Sequence, residues 1–154
     1  MSNTTRYGII GAGMMAQEHI QNIYLLDDAA VTAVCDPVRS SLTWAESTMR
    51  SIDGANADAV QYFTDHRDML AKADLDAIII ASPNFTHIDI LRDTMQTDLA
   101  HLVEKPLCTT MEDALEIEER VKSFDPVFWV GLEYRYMQPV ARMIERAHAG
   151  DVGA

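Results

Sequence analysis

The sequence predicts an α/β fold: a doubly wound parallel sheet of six strands in a single domain. Three observations carry this. Short β-rich runs alternate with helical stretches along the 154 residues. One of these runs, "DAIIIAS" (76–82), is almost continuously apolar, as a strand buried on both faces of a parallel sheet must be. A glycine-rich turn, Gly11-Ala12-Gly13, separates the first β-rich run from the first helical one. Strands alternating with helices make βαβ units with right-handed crossovers. The length suits one domain of the usual size, about 100–150 residues.

The elements follow in order. "RYGIIG" (6–11) is the first strand, and 14–26 is helical by its spread of apolar positions. "VTAVCD" (31–36) is the second strand. Residues 38–51 form a helix with Leu42, Ala45 and Met49 near one face. "VQYF" (60–63) is a short third strand with a short helix at 66–72. After the fourth strand at 76–82, Ser82 and Pro83 break the run, Asn84 is placed to cap, and 84–96 is helical. "HLVEK" (101–105) is the fifth strand. The helix 111–124 starts at Thr110, a capping residue with Asp113 three positions on. "VFWVGLEY" (127–134) is the sixth strand, and the last helix, 139–149, lies between Pro139 and Gly150.

Composition excludes several functions. A hydrophobic content of 48% supports a real core, and no apolar run approaches the roughly 20 residues of a membrane span. The first ten residues lack a basic region followed by an apolar segment, so a soluble cytoplasmic protein is expected. The net charge of −12 argues against nucleic acid and against an anionic membrane surface. Cys35 and Cys108 sit in no C-x-x-C or Cys/His cluster, so both are expected reduced and no metal site is expected.

In doubly wound sheets ligands bind at the carboxyl ends of the strands. The chemistry therefore belongs near Gly11, Asp36, Ser82, Lys105 and Glu133. The first strand end reads Gly11-x-Gly13-x-x-Ala16, the dinucleotide fingerprint of a Rossmann fold. Gly11 permits the tight turn, Gly13 lets the backbone approach a pyrophosphate, and Ala16 lets the helix pack closely. Ala12, Met14 and Met15 complete the loop, whose helix N-terminus offers N–H groups to an anion. Asp36 ends the second strand 20 positions after Ala16, where an acid accepts from the adenosine ribose. It favours NAD, since a carboxylate repels a 2′-phosphate. Arg39 leaves NADP open, as a cation near that phosphate, or is a solvated helix residue. His87 falls one turn into the next helix, toward the same end of the sheet. Lys105, one of three lysines, closes the fifth strand beside Glu104 and Pro106.

These stretches, "GIIGAGMMA", "CDP", "ASPNFTH", "VEKPL" and "VGLEYRYMQPV", resemble the Gfo/Idh/MocA oxidoreductases over nearly the whole chain. The resemblance implies hydride transfer between NAD(P) and a sugar, cyclitol or related polyol. It implies that Ser82, Pro83, Asn84 and His87 line the cofactor groove and that Glu104, Lys105 and Pro106 lie beside the nicotinamide. It assigns Lys105 to the reacting hydroxyl, a cis Lys–Pro peptide, and Arg135 to the cofactor or the domain junction. It also implies a second domain that binds substrate and supplies a proton-transfer residue. The expected division is therefore 1–150 as the cofactor domain and 151–154 as the start of that second domain. Such a chain is expected to bind NAD(H) with weak or no turnover, and to self-associate through faces the second domain normally meets. A non-catalytic nucleotide-sensing module is the competing reading.

Overall fold

A computed structural model describes residues 4–151 and 153. Val152 and Ala154, and the first three residues of the amino-terminal stretch, lie outside the described residues. Six strands form one parallel sheet: β1 (Thr5–Ile10), β2 (Ala29–Cys35), β3 (Gln61–Phe63), β4 (Ala77–Ile80), β5 (Ala100–Glu104) and β6 (Phe128–Gly131). Their order is β3-β2-β1-β4-β5-β6. The helices are α1 (Met14–Ile23), α2 (Arg39–Arg50), α3 (His66–Lys72), α4 (His87–Thr94), α5 (Met111–Val121) and α6 (Gln138–His148). This is the doubly wound Rossmann architecture that the alternation predicts. Among the described residues, no helix is long and apolar enough to cross a membrane.

Successive strand residues face opposite sides of the sheet, and the core divides accordingly. Ile9, Val34 and Ile79 pack on one face with Ala16 and Ile20 of α1 and Ala45 and Met49 of α2. Ile10, Ile78 and Ile80 pack on the other with Met69 of α3, Leu91 of α4 and Ile117 of α5. All four residues of β4 are buried, which is why its run has no polar alternation. Each such isoleucine contributes about 1.5–3 kcal/mol by leaving water. The register of β4 against β1 is clamped at its amino end. Arg6 donates to Asp76 from its main-chain N–H, Nε and Nη2, each at 2.8 Å, and the carboxyl is pulled down to about 2.

Three element boundaries depart from expectation. The sixth strand stops at Gly131, and Glu133–Tyr136 form a 3-10 turn. Its ladder partner β5 ends at Glu104, paired with Gly131, so Leu132 has no strand to continue against. The first helix ends at Ile23, closing with single turns at Leu25 and Leu26, both exposed. The stretch 84–96 splits into a 3-10 turn at Asn84–Thr86 and then α4. Asn84 makes no cap, because α4 is entered through that turn rather than from an extended residue. By contrast, the Thr110 hydroxyl caps α5 by accepting from the Asp113 N–H at 3.1 Å, as predicted. Gly150 follows α6 with φ 81°. The cysteines are unpaired, Cys35 buried and Cys108 half-buried.

His101 of β5 is buried between Phe124 and Phe128, with ring centroids at 5.1 and 5.8 Å. Its Nδ1 lies 2.8 Å from the Leu99 carbonyl, which only accepts, so Nδ1 carries the proton. Its Nε2 then accepts from the Thr94 hydroxyl at 2.9 Å. Burial holds the His101 pKa below its ordinary value. The unfolded chain therefore takes up a proton, near pH of about 6.5, that the folded chain refuses. Urea denaturation is expected to show this contribution intact above that pH and lost as pH falls toward the lower folded pKa. His101→Gln should flatten that segment of the profile.

Candidate cofactor site

The strand order reverses between β2 and β4, on either side of β1, and the crevice at such a switch point is where these sheets bind ligands. The chains leaving β1 and β4 there are nearly in contact. Ala81 N–H donates to the Ile10 carbonyl at 2.8 Å, and Gly11 N–H to the Cys35 carbonyl at 2.8 Å. Gly11 has φ 92°, and a Cβ on it would sit 2.5 Å from both the Cα and the N of Ser82. Gly13 differs. Its φ is −78°, and nothing lies within 4 Å of where its Cβ would be. The fold demands the first glycine; only an occupant of that open space demands the second. Beside it α1 starts with no side-chain cap and no acidic residue in its first turn, so its leading N–H groups remain for an anion. A diphosphate fits this turn.

Asp36 sits between the turn and α2. Its Oδ2 accepts from Ala12 N–H and its Oδ1 from Val38 N–H, both at 2.8 Å. Each oxygen keeps a further lone pair for a ribose hydroxyl. Arg39 opens α2 exposed, and no ion pair holds its guanidinium among the described residues. Cys35, just beneath, is no nucleophile: burial pushes its thiol up to about 12.

At the end of β5 the Lys105–Pro106 peptide is cis. The main chain here is held from two helices. Glu104 is 6% exposed; its Oε1 lies 2.8 Å from His19 Nε2 of α1, and its Oε2 accepts from Lys105 N–H at 3.2 Å. His87 is 1% exposed, with Nδ1 3.1 Å from the Pro106 carbonyl and Nε2 3.0 Å from the Ser82 carbonyl. The Lys105 side chain is exposed. Lys72 and Lys122 are each paired with a helical neighbour, whereas no ion pair involves Lys105 among the described residues.

The predicted residues thus divide. Gly11, Ala12, Gly13, Met14, Met15, Asp36, Ser82, Pro83 and Lys105 follow the carboxyl ends of the strands, and Met14 is exposed at the turn. His87 does not offer its ring to the crevice, because main-chain carbonyls occupy both nitrogens. Glu104 turns toward His19 rather than standing free. Asn84 is exposed without a cap role, and the Ser82 and Thr86 hydroxyls, 2.8 Å apart, organise that turn instead. Arg135 is exposed in the 3-10 turn beyond β6. Two residues escaped the sequence reading. One is His19. The other is Gln17, 5% exposed, whose Nε2 donates to the carbonyls of Ala12 at 3.1 Å and Gly13 at 3.4 Å. A polar residue at each of positions 17 and 19, flanked by Ala16 and Ile20 on the buried side of α1, was the available signal.

Comparison with known proteins agrees with this geometry. Residues 5–132 match the Gfo/Idh/MocA family profile, described as an oxidoreductase family with an NAD-binding Rossmann fold. An inositol 2-dehydrogenase of Pseudarthrobacter chlorophenolicus is 38% identical over 120 residues, covering 77% of this chain and 33% of its own length. Inositol 2-dehydrogenase 4 of Saccharopolyspora erythraea is 30% identical, covering 99% of this chain and 44% of its own length. The myo-inositol dehydrogenase of Lactobacillus casei, solved with NAD(H) and myo-inositol, superposes with a TM-score of 0.82 at 28% identity. The match covers 98% of this chain and 43% of that one. The chain thus spans less than half the length of the relatives it matches.

The two glycines should separate by experiment. Gly11→Ala forces a Cβ into the Ser82 backbone and is expected to cost more than about 2 kcal/mol of stability. Gly13→Ala is expected to change stability by less than about 1 kcal/mol while weakening NADH binding strongly. Urea unfolding and NADH fluorescence titration of both variants check this.

Proposed function

This chain belongs to the Gfo/Idh/MocA oxidoreductase family, as its NAD-binding Rossmann domain, and from that premise we propose that it holds NAD(H) for hydride exchange with a cyclitol, sugar or related polyol. The observation that carries the proposal is the meeting of three features at one sheet edge: an anion-ready turn at Gly13, the Asp36 carboxylate, and the unpaired, exposed Lys105. The inositol dehydrogenases among its relatives support a cyclitol as the first substrate to try. Asp36 supports NAD over NADP, with Arg39 the residue through which NADP would be accepted.

In this reading the Gly13 turn and the start of α1 bind the diphosphate, and Asp36 accepts from the adenosine ribose. The bound nicotinamide supplies the hydride acceptor or donor. Lys105 donates a hydrogen bond to the substrate hydroxyl oxygen and stabilises the negative charge that develops there as the carbon loses hydride. The hydroxyl proton needs an acceptor, and His87 is not one, since its ring is buried and turned toward the Pro106 and Ser82 carbonyls rather than the crevice. We therefore expect residues 1–150 to act as the cofactor half, with weak or no turnover alone, and the proton acceptor to come from further chain of the kind the longer relatives carry.

The surface offers a place for such chain. α6 buries no residue, and Trp129, Leu132, Tyr134, Tyr136, Met137 and Met143 are exposed around it. That face would pack against a second domain, or against other copies in its absence. Unpaired thiols at Cys35 and Cys108 suit a cytoplasmic protein.

The test uses this domain joined to a second domain from a relative. Lys105→Ala should cut polyol-dependent NAD reduction by about 10²–10³-fold with NADH binding unchanged. Unchanged turnover would favour a nucleotide-sensing module instead. NADPH binding tighter than NADH would overturn the role given to Asp36.

A further inference from the structure

We propose that Gln17 is a positioning residue for the cofactor's diphosphate, turning the N–H groups of Gly13 and Met14 toward it. The proposal rests on the nucleotide-binding reading above. Gln17 lies in the first turn of α1 and is buried, as are Ala16, Ile20 and Ile23 of the same helix. Its Nε2 reaches back to the carbonyls of Ala12 and Gly13, and its own N–H also donates to the Gly13 carbonyl at 3.3 Å. In a planar trans peptide, the C=O of one residue and the N–H of the next point in opposite directions. Holding the Ala12 and Gly13 carbonyls on the helix side therefore aims the Gly13 and Met14 N–H groups away from it. Asp36 already takes the Ala12 N–H, so these two are the next donors the turn has to give.

The other end of the same side chain supplies a second, independent observation. Gln17 Oε1 is buried with no hydrogen-bond partner among the described residues. An orphaned buried acceptor is a cost that a methionine of similar length would not carry. The other buried residues of α1 are Ala16, Ile20 and Ile23, so that face of the helix does not ask for an amide. The turn does, because two carbonyls need a donor that the helix backbone alone cannot provide at both. An amide whose donor serves the ligand turn, and whose acceptor meets no partner among the described residues, is placed for the ligand.

The experiment compares the parent chain with Gln17→Met and Gln17→Glu, using ADP and adenosine as probes. Calorimetry gives the affinities, and backbone amide NMR follows Gly13 and Met14. Gln17→Met is expected to bind ADP at least about tenfold more weakly, with adenosine affinity within about twofold of the parent. A purely structural role would weaken ADP and adenosine together, so the contrast between the two probes is the deciding readout. Gln17→Glu, which has no donor when ionised, should lose ADP affinity further. Equal ADP binding by parent and Gln17→Met would overturn the proposal, as would parallel loss of ADP and adenosine. If neither variant folds, the parent decides: ADP that binds without shifting the Gly13 and Met14 amides overturns it. A parent that binds neither ADP nor NADH overturns the nucleotide reading itself, an outcome distinct from the others.

Discussion

The site depends on one close approach. Where β1 and β4 end, their chains leave the sheet so near each other that the first residue of one has no room for a side chain against Ser82 of the other. This contact follows from the ladder itself. Ile10 is in register with Ile80, and one further hydrogen bond, Ala81 to Ile10, extends the pairing past the strands. A glycine with positive φ then becomes the way out of β1. The turn it makes sends α1 back over one face of the sheet, while the chain after β4 goes to the other. The crevice is the gap this parting leaves. The start of α1 and the segment after β4 therefore face one space because of a packing limit at a single residue.

A chain of net charge −12 can bind an anion there because fields near a site are local. The carboxylates closest to the crevice are already satisfied. Asp36 is held by two main-chain N–H groups, and Glu104 by His19 and the Lys105 N–H. Elsewhere most cations are spent on neighbours: Arg50 on Glu46 and Asp58, Arg92 on Glu116 and Asp89. Among the described residues Arg39, Lys105, Arg135 and Arg142 enter no ion pair, and the first two follow the carboxyl ends of β2 and β5. The distribution of partners, rather than the net charge, favours an anionic ligand at this edge.

Much of this was legible because it is local. The glycine spacing, the acid closing β2, the Thr110 cap and the buried run of β4 each follow from residues within a few positions of one another. The failures share a cause as well. β6 ends where β5 ends, a fact of the partner strand and not of "VFWVGLEY". Asn84 has capping chemistry but the wrong entry geometry. His87 was read toward the crevice because its helix starts there, and nothing nearby in sequence reveals that its ring meets carbonyls of Ser82 and Pro106. His19 and Glu104 are 85 positions apart and meet only once α1 is laid beside β5. Backbone accounting in three dimensions decides such residues, and sequence spacing cannot supply it.

The arrangement around Lys105 shows why a buried histidine, His87, and a half-buried one, His19, serve a site they do not touch. A lysine side chain is long and flexible, so its reach is only as defined as the main chain that carries it. Here that main chain is fixed on both sides. Glu104, tied to α1 through His19, accepts from the Lys105 N–H, while the Pro106 carbonyl, one residue on, lies 3.1 Å from Nδ1 of His87 in α4. The two helices stand on opposite faces of the sheet, so the segment is braced from both. The ammonium itself has no partner among the described residues. An ion pair there would have to be broken before the cation could meet a substrate oxygen, and a loose backbone would have to be ordered at the same moment. A braced backbone carrying a free charge avoids both costs, which suits the role proposed for Lys105.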